Sequence, residues 1–359
     1  MSDDSIIAAA RAAWRDRNPT QTRGAAPVLA AVLLGTCLGP VLAGAADRVI
    51  RVAAGDGGDF KTVQEAVAAV PDNSTERSII QIRAGRYEGP VVISSKKNKV
   101  TFQGEDARTT VIDWPNNVKS PKPPGADGFN PGVHIRGSDF CAEHLTFSNS
   151  SGDQGQGLAL RVDGDRAVFA HCRLLGWQDT LMANQGRQYF TNCYIEGRVD
   201  FIFGDGAAVF EDCHIHSKNG GYITAASTPA GQKFGYVFLR CNLTGDTVPW
   251  AGPGATTPVK EGKFPNAYLG RPWRPQASVA FIACKMGGHI RPEGWHNWGN
   301  PTNEATARFA EYGSTGPGGQ PDRRAPWARR LNKVEAAAIT AEAVLAGADG
   351  WSPYVGPKR

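Results

Sequence analysis

One short pattern recurs through the second half of the chain and limits what it can fold into: a cysteine flanked by alternating polar and apolar residues. It is carried by AHCRLLG (170–176), TNCYIEG (191–197), EDCHIHS (211–217), LRCNLTG (239–245) and IACKMGG (282–288). The cysteines fall at 172, 193, 213, 241 and 284, so the gaps are 21, 20, 28 and 43. Two gaps are one unit, the third is a unit plus a loop, and the fourth is two units or one long loop. Cys141 in DFCAEHLTFSNS extends the series at a gap of 31. Alternating runs such as VTFQG, AVFAHCRL, QYFTNCYIEG, AVFEDCHI, YVFLRCNL and VAFIACKM predict strands, with Gly, Asn and Asp turn signals between them and no helical crossover. Short strands that cannot bury an apolar face alone must stack on the coil before and after. That describes an all-β fold, a single-stranded parallel β-helix with equivalent residues about 4.8 Å apart on neighbouring coils.

Two helical patterns flank the coils. In DFKTVQEAVAAV, Phe60, Val63, Val67 and Val70 recur at helical spacing and predict a plug over the N-terminal end of the solenoid; NKVEAAAITAEAVL (332–345) predicts a C-terminal helix. The cysteines read as an interior ladder of small apolar residues, although Cys172 with Cys193, or Cys193 with Cys213, is close enough in register to bridge. None has metal-ligand spacing, and no metal site is expected.

The same period applied to the polar residues is more informative. Gln156 to Gln178 is 22 residues, Gln178 to Asp200 is 22, and Asp179 to Asp200 is 21. The first three should stack, and the two carboxylates should lie on adjacent coils. Two acids held that close separate in pKa, one ionised and one protonated. Asp200 lies in the apolar run GRVDFIFG, where a carboxylate is costly unless paired or working. Strict alternation would set Gln178 and Asp179 on opposite faces, so a bend between sheets is expected at that dipeptide. A carboxylate nucleophile, a protonated acid and amide N–H donors suit acyl transfer. No G-x-S-x-G elbow and no H-E-x-x-H pattern offers a rival chemistry.

Residues 25–46 form the only long apolar stretch, preceded by Arg11, Arg15, Arg17 and Arg23 and ending in small residues, which reads as a secretory signal peptide. The leader before it is long and carries Asp3, Asp4 and Asp16, which leaves a retained anchor as the alternative. Cys37 after Leu34-Gly35-Thr36 is a loose match to a lipoprotein cleavage site. The expected organisation is thus signal peptide and leader over 1–46 and one catalytic domain over 47–359, exported or periplasmic and without stable membrane association once processed. The formal charge is +5; four Arg against three Asp in residues 1–46 leave about +4 for the remainder. That mild basicity suits a polyanionic polysaccharide, and no Lys/Arg run with interleaved aromatics suggests nucleic acid.

At this point the motifs resemble a known family. GWQDTL (176–181), GRVDFIFG (197–204), YLGRPW (268–273) and QGLALR (156–161) are similar, in order and spacing, to signatures of the pectin methylesterases. The likeness runs from about residue 50 to about 345 and includes GDFKT (58–62) and FAEYGSTGPG (309–318). The resemblance implies a right-handed parallel β-helix that hydrolyses the C6 methyl esters of methylated homogalacturonan without a cofactor. It implies Asp200 as nucleophile and Asp179 as general acid, then base. By the same likeness Gln156 and Gln178 stabilise the oxyanion, Arg271 holds Asp200 ionised, and Trp273, with Phe203, contacts the sugar. Near the N-terminus the family's G-x-Y-x-E reads Gly85-Arg86-Tyr87-Glu88-Gly89, with the glutamate displaced by one. The short region before residue 47 suits a bacterial-type secreted member, expected to be monomeric. The rivals are a galacturonan hydrolase or lyase on the same fold, against which the paired glutamines argue, and a non-catalytic polysaccharide-binding β-helix.

Overall fold

The computed structural model describes residues 47–121, 128–246 and 266–353. The signal peptide, Cys37 and the leader read from the sequence lie outside the described residues.

The described chain winds through three parallel sheets in repeating order, as a right-handed parallel β-helix. Among the described residues, sheet A has 11 strands, sheet B eight and sheet C seven; between the two ends of sheet A each strand pairs with its equivalents on the neighbouring coils rather than with its sequence neighbour. One coil shows the scheme. Ala167–Ala170 lies in sheet A, Arg173–Leu175 in sheet B and Leu181–Ala183 in sheet C, and Arg187–Thr191 then returns to sheet A. Each strand pairs in register with its equivalent on the next coil, as Leu160 with Leu181 and Leu181 with Ile202.

The motif around each cysteine is two strands and a corner rather than the single strand expected. The residue before each ladder cysteine turns the chain from sheet A into sheet B with positive φ: His171 at 53°, Asn192 at 52°, Asp212 at 53°, Arg240 at 53° and Ala283 at 53°. The left-handed conformation is costly for most residues, and small polar side chains tolerate it best. Cys172, Cys193, Cys213, Cys241 and Cys284 follow these corners and point inward as buried thiols, and neither bridge forms. Cys141 corrects the series. It lies in the sheet A strand opposite Val168, and the ladder position of its coil is taken by Leu145, whose carbonyl accepts from the Arg173 N–H as that of Cys172 accepts from Tyr194. The gap of 43 is one coil with a long insertion, because Asn242 pairs directly with Lys285.

Stacked aromatics fill the interior beside the thiols. Phe169, Phe190, Phe210, Phe238 and Phe281 are fully buried, with successive ring centroids 4.6, 4.8, 4.6 and 4.3 Å apart and planes within 11°. The strand spacing sets the ring spacing, so each Phe packs on both neighbours. Phe210→Ala should therefore destabilise by about 3–5 kcal/mol in urea-induced unfolding, since the rings above and below are fixed by their own strands and cannot close the cavity.

At the N-terminal end the helix Val63–Ala69 begins at Thr62, which forms a capping box with Glu65, and buries Val63, Ala66 and Val67 over the end of the coil stack. The expected C-terminal helix is two short ones, Lys333–Ala337 and Ala341–Leu345. The Thr340 side chain caps the Ala343 N–H and starts the second, which packs on sheet A. Among the described residues no helix is long and apolar enough to cross a membrane.

Candidate active site

The polar site forms where sheet B turns into sheet C. Asp179 has φ 64° and Asp200 has φ 51°, so both occupy left-handed corner residues, and Asn219 at φ 54° turns the coil after them. The predicted bend therefore falls on Asp179 itself. An Asx side chain is the least strained non-glycine choice at such a corner, so local structure and chemistry ask for the same residue type.

The register corrects the expected stack. Gln156 and Gln178 are bridge partners, as their spacing of 22 required. Asp179 N–H, however, donates to Val199 O, and Leu181 N–H to Phe201 O, which sets Gln178 opposite Val199 and Asp179 opposite Asp200. The slip arises at Leu158–Ala159. There both Ala159 and Leu160 N–H donate to Thr180 O, so one residue is absorbed as a bulge and the period returns to 21. The neighbour of Asp200 on the preceding coil is thus the second carboxylate, and the two glutamines form their own pair beside it.

Two motif glycines allow the coils to approach. A Cβ on Gly197 would sit 2.7 Å from Trp177 O on the preceding coil, and one on Gly270 would sit 2.0 Å from Thr224 Oγ1, the hydroxyl that donates to Leu269 O. Gly270 brings Arg271 over the carboxylates. Its Nε donates to Asp200 Oδ1 at 2.9 Å and Nη2 to Oδ2 at 2.6 Å, a two-pronged ion pair spanning 71 residues of sequence.

The two acids meet different surroundings. Asp179 is 3 % exposed; burial chiefly, and then the Asp200 charge, push its pKa up to about 8, against a hydrogen bond from Gln156 and the more distant Arg271. Burial also pushes Asp200 up, but the Arg271 guanidinium bonded directly to it opposes the rise. The direct partner belongs to Asp200 alone, so Asp200 loses its proton first and the pair titrates in two steps. Asp179 is therefore the member of the pair that keeps its proton to higher pH.

Beside the acids, on the outer face of sheet C, lies an apolar floor of Leu158, Met182, Phe203 and Ala225, against which Phe129 and Trp273 pack. The Phe203 and Trp273 rings meet edge to face at 5.8 Å. Trp273 also walls a pocket of about 370 Å³ lined by Asn184, Asp205 and Arg274 among others. All seven residues singled out from the sequence are thereby placed around one corner of the helix. The sequence reading missed Leu158, Met182, Ala225 and Phe129, and also Tyr222 and Trp298, which cover the two faces of the Arg271 guanidinium at 3.9 and 3.7 Å. A second Trp in GWHNWGN, so soon after YLGRPW, was the available signal for Trp298. Among the described residues no cluster of His, Cys, Asp and Glu could hold a metal ion.

Comparison with known proteins places this corner in context. A family model described as Pectinesterase matches residues 49–348. Pectinesterase 31 of Arabidopsis thaliana is 42 % identical over 301 residues, covering 81 % of this chain and 90 % of the relative. Among solved structures, pectin methylesterase from carrot superposes with a TM-score of 0.75 at 33 % identity, covering 84 % of this chain and 93 % of that one. A pectin methylesterase in complex with a hexasaccharide gives 0.71 at 29 % identity, over 87 % of this chain and 100 % of that one.

Proposed function

The chain belongs to the pectinesterase family, and from that premise we propose that Asp200 and Asp179 are the carboxylates with which it hydrolyses the methyl esters of pectin. One observation carries the assignment of roles. Of two acids stacked on adjacent coils, Asp200 is paired in two-pronged fashion with Arg271, and Asp179 is held protonated by burial and by the charge of its neighbour.

The chemistry follows from that asymmetry. An Asp200 oxygen attacks the C6 carbonyl carbon, and the displaced electron pair becomes an oxyanion that accepts from the side-chain amides of Gln156 and Gln178. Collapse breaks the C–OCH3 bond while Asp179 gives its proton to the departing methanol, leaving an acyl anhydride on Asp200. Asp179, now ionised, takes a proton from water as the water oxygen attacks the anhydride; the C6 carboxylic acid is released and gives its proton to solvent, and both aspartates return to their starting states. Trp273 and Phe203 supply an apolar face for the sugar ring beside the acids. The reaction needs no cofactor. The hexasaccharide bound by a structural relative supports an extended polysaccharide as substrate.

The proposal extends to location and organisation: residues 1–46 direct export and are removed, and residues 47–359 act outside the cytoplasm as a monomer. The basic leader and apolar stretch of the sequence support this.

Gln156→Ala should lower kcat for methanol release from highly methylated pectin by about 10²–10³-fold with KM little changed, the loss expected for one oxyanion donor. Full methanol release by that variant would remove Gln156 from the chemistry.

A further inference from the structure

Arg271 is one layer of a stack that runs across three coils. Arg291 lies over the Tyr268 ring at 4.9 Å, and Tyr268 stacks on Tyr222 at 5.3 Å with planes 9° apart. Tyr222 lies 3.9 Å from the Arg271 guanidinium carbon, and Trp298 closes the far side at 3.7 Å. Register builds the stack. Tyr222 and Tyr268 are paired residues of neighbouring sheet C strands, and the Gly270–Trp295 bridge brings in the following coil, which carries Trp298. Trp298 is 37 % exposed and has φ 63°, a strained conformation for a bulky residue. Its loop is pinned, with Trp298 N–H donating to His296 Nδ1 and Gly299 N–H to Asn297 Oδ1.

We infer that Tyr222 and Trp298 are positioning residues that hold the Arg271 guanidinium edge-on to Asp200 and so keep the nucleophile aligned and ionised. With both faces covered by aromatic rings, the cation is shielded from water where it would otherwise tilt, and its edge bonds go to Asp200. The charged and titratable groups around Arg271 are Asp200, Asp179, Arg291 and His296; burial, with the Arg271 and Arg291 charges, lowers the His296 pKa, so that ring stays neutral and adds no competing charge. This inference rests on the reading of Asp200 as nucleophile.

The test measures methanol release by the mature chain for Tyr222→Leu, Trp298→Leu, Tyr222→Phe and Trp298→Phe, each made in the wild type and in an Arg271→Ala background. Each Leu variant should lose about 10–100-fold in kcat, the scale of a catalytic group displaced by about an ångström. KM should stay within about twofold, and the acid limb of the pH profile should move to higher pH as Asp200 becomes harder to ionise. The Phe variants should recover most of the rate. In the Arg271→Ala background the Leu substitutions should cost nothing further, since the rings act through the arginine. Equal losses in both backgrounds, a change confined to KM, or an unmoved acid limb would overturn the inference and make the rings a sugar-contact surface. Trp298→Gln, at the exposed end of the stack, carries the test if Tyr222→Leu does not fold. An inactive wild type would instead overturn the esterase reading itself.

Discussion

Asp200→Asn should abolish methanol release, with a loss on the order of 10⁴–10⁶-fold in kcat, because the substitution removes the attacking oxygen's negative charge and nothing nearby replaces it. The other acid cannot take over. Asp179 is protonated near neutrality because it is buried, and it lacks the direct guanidinium partner that Asp200 has. Asparagine keeps the volume, tolerates the left-handed corner at φ 51° and still offers Arg271 one carbonyl oxygen, so the coil register should survive. The loss is then catalytic rather than structural. Unfolding curves recorded with the activity separate the two, and retention of more than a hundredth of the wild-type rate by a folded Asp200→Asn protein would remove Asp200 as the nucleophile.

Asp179→Asn should do two opposite things: lower activity by about 10²–10⁴-fold and raise stability at alkaline pH. The sign of the stability effect follows from linkage. An unfolded aspartate titrates near 3.9, whereas Asp179 in the fold titrates at about 8. Between those values the folded protein binds the extra proton, so wild-type stability falls as pH rises from about 4 to about 8. Asparagine cannot ionise and removes that dependence. The variant should thus match the wild type near pH 4 and exceed it above pH 8, by on the order of a few kcal/mol for a shift of this size. Wild-type kcat should fall over the upper part of the same window as Asp179 ceases to be an acid. Urea unfolding of the two proteins at several pH values measures the effect, and parallel pH dependences would show that Asp179 is not the protonated member of the pair.

Both predictions depend on a site that the sequence disclosed unevenly. The period of 21 was legible because strand spacing forces equivalent residues to repeat, and it brought Asp179 and Asp200 together correctly. The apparent period of 22 from Gln178 to Asp200 misled, since the bulge at Leu158–Ala159 absorbs one residue and only Gln156 and Gln178 keep that spacing. Such a bulge depends on which of two N–H groups reaches Thr180 O, and neither residue type announces it. Cys141 misled in a similar way: its coil carries Leu145 at the ladder position, because an interior slot accepts any apolar side chain of suitable size. Where Asp179 points was unreadable from alternation, which presumes extended backbone, whereas φ 64° turns the chain at that residue. Arg271 came from the family likeness alone, for its partner lies 71 residues away beyond loops of unpredictable length. The Tyr222 and Trp298 layers were hidden for the same reason: stacking across coils requires a register that insertions shift.

Product analysis on highly methylated pectin with the mature wild-type chain tests the esterase chemistry directly. Methanol and titratable acid are expected in equal amounts, with no new reducing ends and no unsaturated products. Chain scission without methanol would contradict that chemistry and assign the two stacked carboxylates to cleavage of the polymer backbone.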